Sequence, residues 1–302
     1  MKNIFIDSDC GIDDATAIMI ALASPEVKIA GISAVAGNAG LNHVVNNITG
    51  ILSYFGRDDI PVFKGATTSL LGRRIHAEGV HGSNGLGDVE LPENSKEVES
   101  LKAPDGLYKS AKENPGLTLV TLGPLTNIAI SLNMFPDLKN LLKEIVIMGG
   151  ALERGNITKF AEFNFAADPE SVEFVFNSGI PLTIVPWDAA VPAMDTEESL
   201  KSLDLQDSKA GKLFLEMQKV PLDFLEKVFG IRAIGHPDPI TMAYVIDESI
   251  VKKRIKGNLK MELSFNTMRG ASVPCEGLEM DIILEIQKEK FNSILRRIKG
   301  LV

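Results

Sequence analysis

Four carboxylates fall within eight residues near the start of the chain: Asp7, Asp9, Asp13 and Asp14 in I-F-I-D-S-D-C-G-I-D-D-A-T-A. The run Ile4-Phe5-Ile6 reads as a strand and the following apolar pattern as a helix, so the acids occupy a strand-to-helix turn. In an extended strand end, Asp7 and Asp9 lie two apart and point the same way. Asp13 and Asp14 fall in the first helical turn, where the helix dipole favours an anion by at most about 1 kcal/mol at typical sites. That is too little to keep four neighbouring carboxylates ionised. Either some are protonated or a cation sits among them. With only oxygen on offer the cation is a hard one, Ca²⁺ or Mg²⁺. A solvated acidic turn with a helix cap is the plain alternative, and four acids directly after a buried strand argue against it.

Two other uses of such spacing fail. An EF-hand loop beginning at Asp7 needs Gly at its sixth position and Glu at its twelfth, and these are Ile12 and Ile18. A D-x-D phosphatase uses its first Asp as nucleophile and usually carries Thr or Val two residues after the second, where this chain has Gly11. The Lys and further acids that such an enzyme needs at later strand ends are not found. Neither G-x-G-x-x-G after the first strand nor G-x-x-x-x-G-K-[ST] occurs, which argues against dinucleotide and NTP sites.

Further along, Glu162 and Asn164 lie two apart, so in an extended segment both face one side and can hold sugar hydroxyls. Phe163 and Phe165 face the other. Asp168-Pro169-Glu170 reads as a helix start. The Gly-rich stretch from Gly65 to Glu90 carries His76 and His81, and loops of this length are usually functional or mobile. His76 reads as a solvated loop histidine.

In order, D-S-D-C-G-I-D-D-A from Asp7, V-H-G-S-N-G-L-G around His81, G-P-L-T-N from Gly123, A-E-F-N with D-P-E from Ala161 to Glu170, D-P at Asp238 and T-M-R-G at Thr267 resemble the inosine–uridine-preferring nucleoside hydrolases. The resemblance runs from Asp7 to about Gly270. It implies hydrolysis of the N-glycosidic bond of a ribonucleoside to free nucleobase and ribose, in nucleoside salvage. It also implies Ca²⁺ as cofactor, a homodimer or homotetramer, and a Rossmann-like α/β fold: an open, mostly parallel central sheet with helices on both faces. Residue by residue, it makes Asp9, Asp14, Asp238 and the carbonyl of Leu122 the metal ligands. Asp13, Asn38, Asn156, Glu162 and Asn164 become the ribose grip, and His81 the edge of the base pocket. Asp9 is then placed as general base, ionised carboxylates stabilise an oxocarbenium-like sugar, and Asp7 orients the turn from behind the ligands.

Two departures stand out. Many family members have a His immediately before the last metal Asp, where it protonates the leaving base; here Pro237 stands there, and His236 is one residue further back. Either His236 reaches the base or another group serves, and the preferred base becomes a candidate for a non-standard one. Cys10 stands where Pro or Asn is common, and reads as packing. Pro237 also keeps open a non-catalytic nucleoside-binding protein, against which the intact Asp9 argues.

The elements that must position these residues are legible. Ala15, Ile18, Met19 and Leu22 recur at helical spacing; Val27–Val35 reads as a strand, Leu41–Phe55 as a helix and Pro61–Phe63 as a short strand. This β-α-β-α-β rhythm predicts parallel strands with the ligand crevice at their carboxyl ends. Strands are also expected at Leu117–Leu122, Glu144–Met148, Pro181–Val185, Leu259–Phe265 and Asp281–Ile286, with a last helix from Glu289. Glu90 to Ser100 reads as a polar surface connection, and Trp187 as core. Ser199 to Phe229 is expected to be helical, broken at Pro221. The whole chain, 1–302, reads as one domain whose residues 196–235 form, on the family's pattern, a mobile active-site wall.

Bulk properties set the outer limits. A formal charge of −9 offers no basic excess for phosphates, which argues against a nucleic-acid partner. The two cysteines, Cys10 and Cys275, make neither a disulfide framework nor a zinc motif. No leader precedes the first strand and no apolar run approaches the roughly 20 residues of a membrane span. A cytoplasmic protein acting on a small molecule, with no membrane partner, is the expectation.

Overall fold

Alternation along the first strand divides the apolar interior in two. In β1 (Lys2–Ser8), Ile4 and Ile6 enter one apolar cluster and Phe5 the other, as opposite faces of a pleated strand require. The computed structural model describes residues 1–74, 78–92 and 96–302. The expectation for His76, and part of that for 90–100, lies outside the described residues.

After β1 come α1 (Ile12–Leu22), β2 (Val27–Ala34), α2 (Leu41–Tyr54), β3 (Val62–Lys64), α3 (Glu78–His81), α4 (Ala103–Glu113), β4 (Leu117–Thr121) and α5 (Thr126–Met134). The second half runs β5 (Leu142–Met148), α6 (Phe163–Ala167), α7 (Pro169–Phe176), β6 (Leu182–Val185), α8 (Trp187–Ala190), β7 (Asp195–Thr196), α9 (Glu197–Ser202), α10 (Lys209–Met217), α11 (Lys219–Phe229) and β8 (Ala233–Ile234). It closes with α12 (Pro237–Ile246), β9 (Val251–Met261), β10 (Ser272–Ile286) and α13 (Lys288–Leu295). The main sheet has the order β3-β2-β1-β4-β5-β6-β10-β9, parallel except for β9 against β10. Helices on both faces cover it, with α1, α2, α10, α12 and α13 on one cluster and α4, α5 and α7 on the other. The mostly parallel sheet with helices on both faces is thus as expected.

From β1 the chain first moves outward to β2 and β3, then returns to the other side through β4. The order reverses between β1 and β4, and at such a reversal two loops part to leave a crevice at the strand ends. Asp7 and Ser8 end β1; Thr121 ends β4.

Several local expectations are corrected. Glu162 and Asn164 do not lie on an extended segment: Glu162 caps α6, its carboxylate accepting the N–H groups of Asn164 (2.8 Å) and Phe165 (3.2 Å), and Asn164 is inside the helix. Three buried donors, with Gly150 the third at 2.9 Å, outweigh the strand-like alternation. Pro221 breaks nothing, because it sits in the first turn of α11 where no intrahelical N–H is needed. The helical stretch is interrupted instead at 203–208 and at Gln218. Of the strand expected at Leu259–Phe265 only Leu259 to Met261 is strand, as the end of β9, which begins at Val251. Trp187 is half-buried against the larger cluster.

Candidate active site

The acidic turn folds as its spacing requires. Gly11 is the N-cap of α1, so Asp13 and Asp14 fall in the first turn. Asp14 is held from three sides: Oδ1 accepts Ser8 Oγ (2.7 Å), and Oδ2 accepts Gly11 N–H (2.9 Å) and Asn38 Nδ2 (3.2 Å). The same Asn38 amide reaches Asp9 Oδ1 at 3.2 Å, and Asn38 N–H donates to Asp9 Oδ2 at 2.7 Å. Asn38 therefore ties the two carboxylates together. From α12, Asp238 completes the group: one oxygen each from Asp13, Asp14 and Asp238 lie within 4.8 Å of one another.

Burial makes this costly. Asp9 and Asp14 have no exposed surface and Asp238 has 2%. Burial, with Asp14 next, pushes the Asp9 carboxyl well above its ordinary value. Burial and then Asp13 push Asp14 up to about 7, and burial with Asp13, Asp14 and Asp9 pushes Asp238 well up. Asp238 Oδ1 is buried with no hydrogen-bond partner, which costs on the order of 1–3 kcal/mol. An all-oxygen cluster with an orphaned carboxylate oxygen fits a hard divalent cation, whose charge would relieve each of these penalties.

The neighbours are shaped to the acids. A Cβ on Gly37 would lie 2.1 Å from Asp9 Oδ2, and one on Gly123 would lie 2.9 Å from Asp9 Oδ1. The Leu122 carbonyl accepts Asn164 Nδ2 at 2.7 Å, so the β4 end and α6 meet. Asn156 Oδ1 accepts Phe163 N–H at 2.8 Å, bringing its loop to the start of α6. Burial lifts Glu162 to about 7 against its three backbone donors. Behind the turn, Asp7 Oδ1 accepts Asn127 Nδ2 (2.8 Å) and Ser33 Oγ, while burial, offset by those two, lifts its carboxyl to about 7. His81 stands over the α1 N-terminus, accepting Ile12 N–H at Nδ1 (3.2 Å), 3.9 Å from Asp13 Oδ1. That bond leaves the ring proton on Nε2. Burial, partly offset by Asp13, lowers the His81 pKa. Cys10 is buried, its carbonyl accepting Asn47 Nδ2 at 3.0 Å, and burial raises its thiol pKa.

His236 is not placed as the leaving-group acid. Its ring is 2% exposed and lies between Phe214 and Phe291, with Nε2 3.3 Å from Asp195 Oδ2 but not in a well-aligned hydrogen bond. Asp195 Oδ1 accepts Ser199 Oγ and Lys288 Nζ, both at 2.8 Å. Burial opposes the charge on Asp195, but His236, Lys288 and Ser199 outweigh it and hold the carboxyl at about 2, below its ordinary 3.8. Its contribution to stability is therefore present above about pH 4 and lost as the pH falls towards 2, at roughly 2 kcal/mol for a shift of that size. Denaturant melts from pH 5 to 2 should show a shallower acid slope in Asp195→Asn than in the parent protein; equal slopes would contradict this assignment.

Sequence reasoning passed over Ser8, Asn127 and Asp195. Asn127 ends the G-P-L-T-N motif and also holds Ala34 O (3.1 Å) and Ala66 N–H (2.8 Å), so its place in that motif was a usable signal. Nothing near Asp195 in sequence announces its partners.

The model of the family described as "inosine-uridine preferring nucleoside hydrolase" matches residues 4–293. A pyrimidine-specific ribonucleoside hydrolase of Citrobacter koseri is 38% identical over 251 residues, 80% of this chain and 78% of its own. Among solved structures, a plant nucleoside hydrolase superposes with a TM-score of 0.93 at 30% identity, covering 99% of both chains. A purine-preferring ribonucleoside hydrolase from Gardnerella vaginalis gives 0.92 at 30%, again with 99% of both covered.

Proposed function

This chain belongs to the inosine-uridine preferring nucleoside hydrolase family, whose members cleave the N-glycosidic bond of ribonucleosides, and from that premise we propose a Ca²⁺-dependent ribonucleoside hydrolase with Asp9 as general base. The observation that carries the metal is Asp238 Oδ1, a buried carboxylate oxygen without a partner beside two buried acids. Asp9, Asp14, Asp238 and the Leu122 carbonyl would hold the cation. The amides of Asn38 and Asn164 now place partial positive charge on Asp9, Asp14 and Leu122 O, which marks where a full positive charge belongs. When bound, Ca²⁺ supplies Lewis-acid polarisation and anchorage for vicinal hydroxyls.

This chain's own residues do the rest. Asp9 takes the proton of the attacking water. Asp13, Asn38, Asn156, Glu162 and Asn164 orient the ribose, and ionised carboxylates beneath it stabilise the oxocarbenium-like sugar as the base leaves. His81, with its proton on Nε2, is the imidazole that faces this group and donates towards the base. Pro237 has no proton to give, so the preferred base is one that leaves without a second imidazole, a non-standard base among them. Asp7 holds β1 in register through Ser33 and Asn127. The wall at about 196–235 closes over the site within a single domain. The active form is a cytoplasmic homodimer or homotetramer, which light scattering on the purified protein would check. Among the described residues no helix is long and apolar enough to cross a membrane.

The test is ribose release from a panel of purine, pyrimidine and modified ribonucleosides by chelator-stripped protein with and without Ca²⁺. Ca²⁺-dependent release is expected, and the best substrate names the base. Binding without release from any nucleoside would favour the binding-protein reading. In the same samples, Ca²⁺ at about a hundred times its Kd should add roughly 2.7 kcal/mol. That is about 4 °C in Tm for a chain of this size. A melting curve indifferent to Ca²⁺ would remove the cation from the site.

A further inference from the structure

Asp238 reaches the acidic cluster from a stretch of backbone with little freedom. Pro237 and Pro239 flank it in the first turn of α12, and each proline ring fixes φ near −65°. Both His236 and Asp238 precede a proline, which restricts them as well. In this H-P-D-P run the direction of Asp238 is set by whatever fixes His236. His236 is the N-cap, with φ −126° and ψ 61°, and its carbonyl accepts the first helical bond from Ile240 N–H at 3.0 Å.

What fixes His236 is a buried network remote in sequence. Asp195, with no exposed surface, faces the ring at 3.3 Å. Lys288 from α13 donates to Asp195 Oδ1 (2.8 Å) and to the Met194 carbonyl (2.6 Å), and Ser199 Oγ closes the carboxylate from α9. Phe214 and Phe291 confine the ring from two sides, their centroids 6.1 and 5.9 Å away. Asp195 also pairs with Ile234 in the β7–β8 ribbon, two residues before His236. A buried polar network of this kind costs desolvation, and its best-attested use is to impose one geometry.

We infer that Asp195, His236 and Lys288 are positioning residues that set Asp238 at the cation site through the rigid H-P-D-P run. The inference rests on the reading that Asp238 is a metal ligand. It gives His236 a task other than proton donation, and Pro237 one as well: it transmits the constraint.

The test is calorimetric titration of Ca²⁺ into chelator-stripped protein, with kcat measured in parallel. Asp195→Asn removes the carboxylate and His236→Gln the ring with little change of shape; Lys288→Met removes the more exposed partner and guards against misfolding of the other two. Ca²⁺ affinity is expected to fall at least tenfold in Asp195→Asn and His236→Gln and severalfold in Lys288→Met. Saturating Ca²⁺ should restore kcat to within about threefold of the parent. Arg297→Gln, which cuts the peripheral Arg297–Glu26 pair, serves as a destabilised control that keeps its affinity. Affinities within twofold of the parent in variants with cooperative melts would overturn the inference, as would an equal loss in Arg297→Gln. A parent protein that binds no Ca²⁺ would overturn the metal reading itself, and is told apart because the defect then precedes any substitution.

Discussion

Asp9→Asn is expected to lower turnover of the best ribonucleoside by roughly 10³-fold or more while making the metal-free protein more stable. Loss of a general base alone typically removes 10²–10⁴-fold, and this substitution also withdraws a ligand charge from the cation. The gain in stability has a separate cause. Asp9 is one of the charges that push Asp238 up, and Asp14 in turn pushes Asp9. These carboxyls have folded pKa values above their unfolded ones, so their contribution is fully present below about pH 4 and is lost as the pH rises through the folded value. Removing one of the buried acids relieves the others at pH 7. Activity and metal-free Tm should therefore move in opposite directions, a trade expected where a strained site serves chemistry. The check is kcat together with a melt in chelator. A variant with near-parental kcat would remove Asp9 as the base, and one with lower Tm in chelator would show that the acids are not in conflict.

The acidic turn was legible in sequence because a two-residue period and a first helical turn leave few places for Asp9, Asp13 and Asp14 to go. The parallel sheet was legible for a similar reason: Val27–Ala34 and Leu117–Thr121 are β-branched-rich strands, the first buried over its second half and the second along its whole length, as a doubly covered sheet requires. Glu162 and Asn164 were misread because the period-two rule assumes a strand, whereas a buried carboxylate that gathers three backbone N–H groups starts a helix. β9 was misplaced because Lys252 to Lys256 are exposed along the sheet edge and carry no alternating burial. His236 was one of the alternatives for reaching the base because it lies two residues before Asp238 in sequence. Its non-helical cap conformation instead points the ring at Asp195, a residue 41 positions away. The Asp195 network was missed because it depends on pairing with His236 and Lys288, remote in sequence, for which local pattern carries no signal.

Gly37→Ala tests whether the site is set by close approach of backbone to carboxylate. Its φ lies outside the left-handed region, so alanine is conformationally acceptable there and even reduces unfolded-chain entropy. The obstacle is space alone: a Cβ would stand 2.1 Å from Asp9 Oδ2 and 2.8 Å from its Cγ. Asp9 cannot yield by a small tilt, because Asn38 holds both its oxygens and Gly123 packs so closely on the other side that even a Cβ there would stand 2.9 Å from the carboxylate. The carboxylate must swing out, losing the Asn38 bonds and the cation position together. Overpacking of this kind costs about 1–3 kcal/mol, which leaves a typical domain folded. A displacement of about 1 Å in a reacting group costs on the order of 10²-fold in rate. Gly37→Ala should therefore melt cooperatively a few degrees low, with Ca²⁺ affinity and kcat each down by about two orders of magnitude. Gly40→Ala, three residues on with nothing near its Cβ position, should change neither. Equal behaviour of the two variants would mean that Asp9 is free to move, and the site would then be shaped by its ligands rather than by the turn.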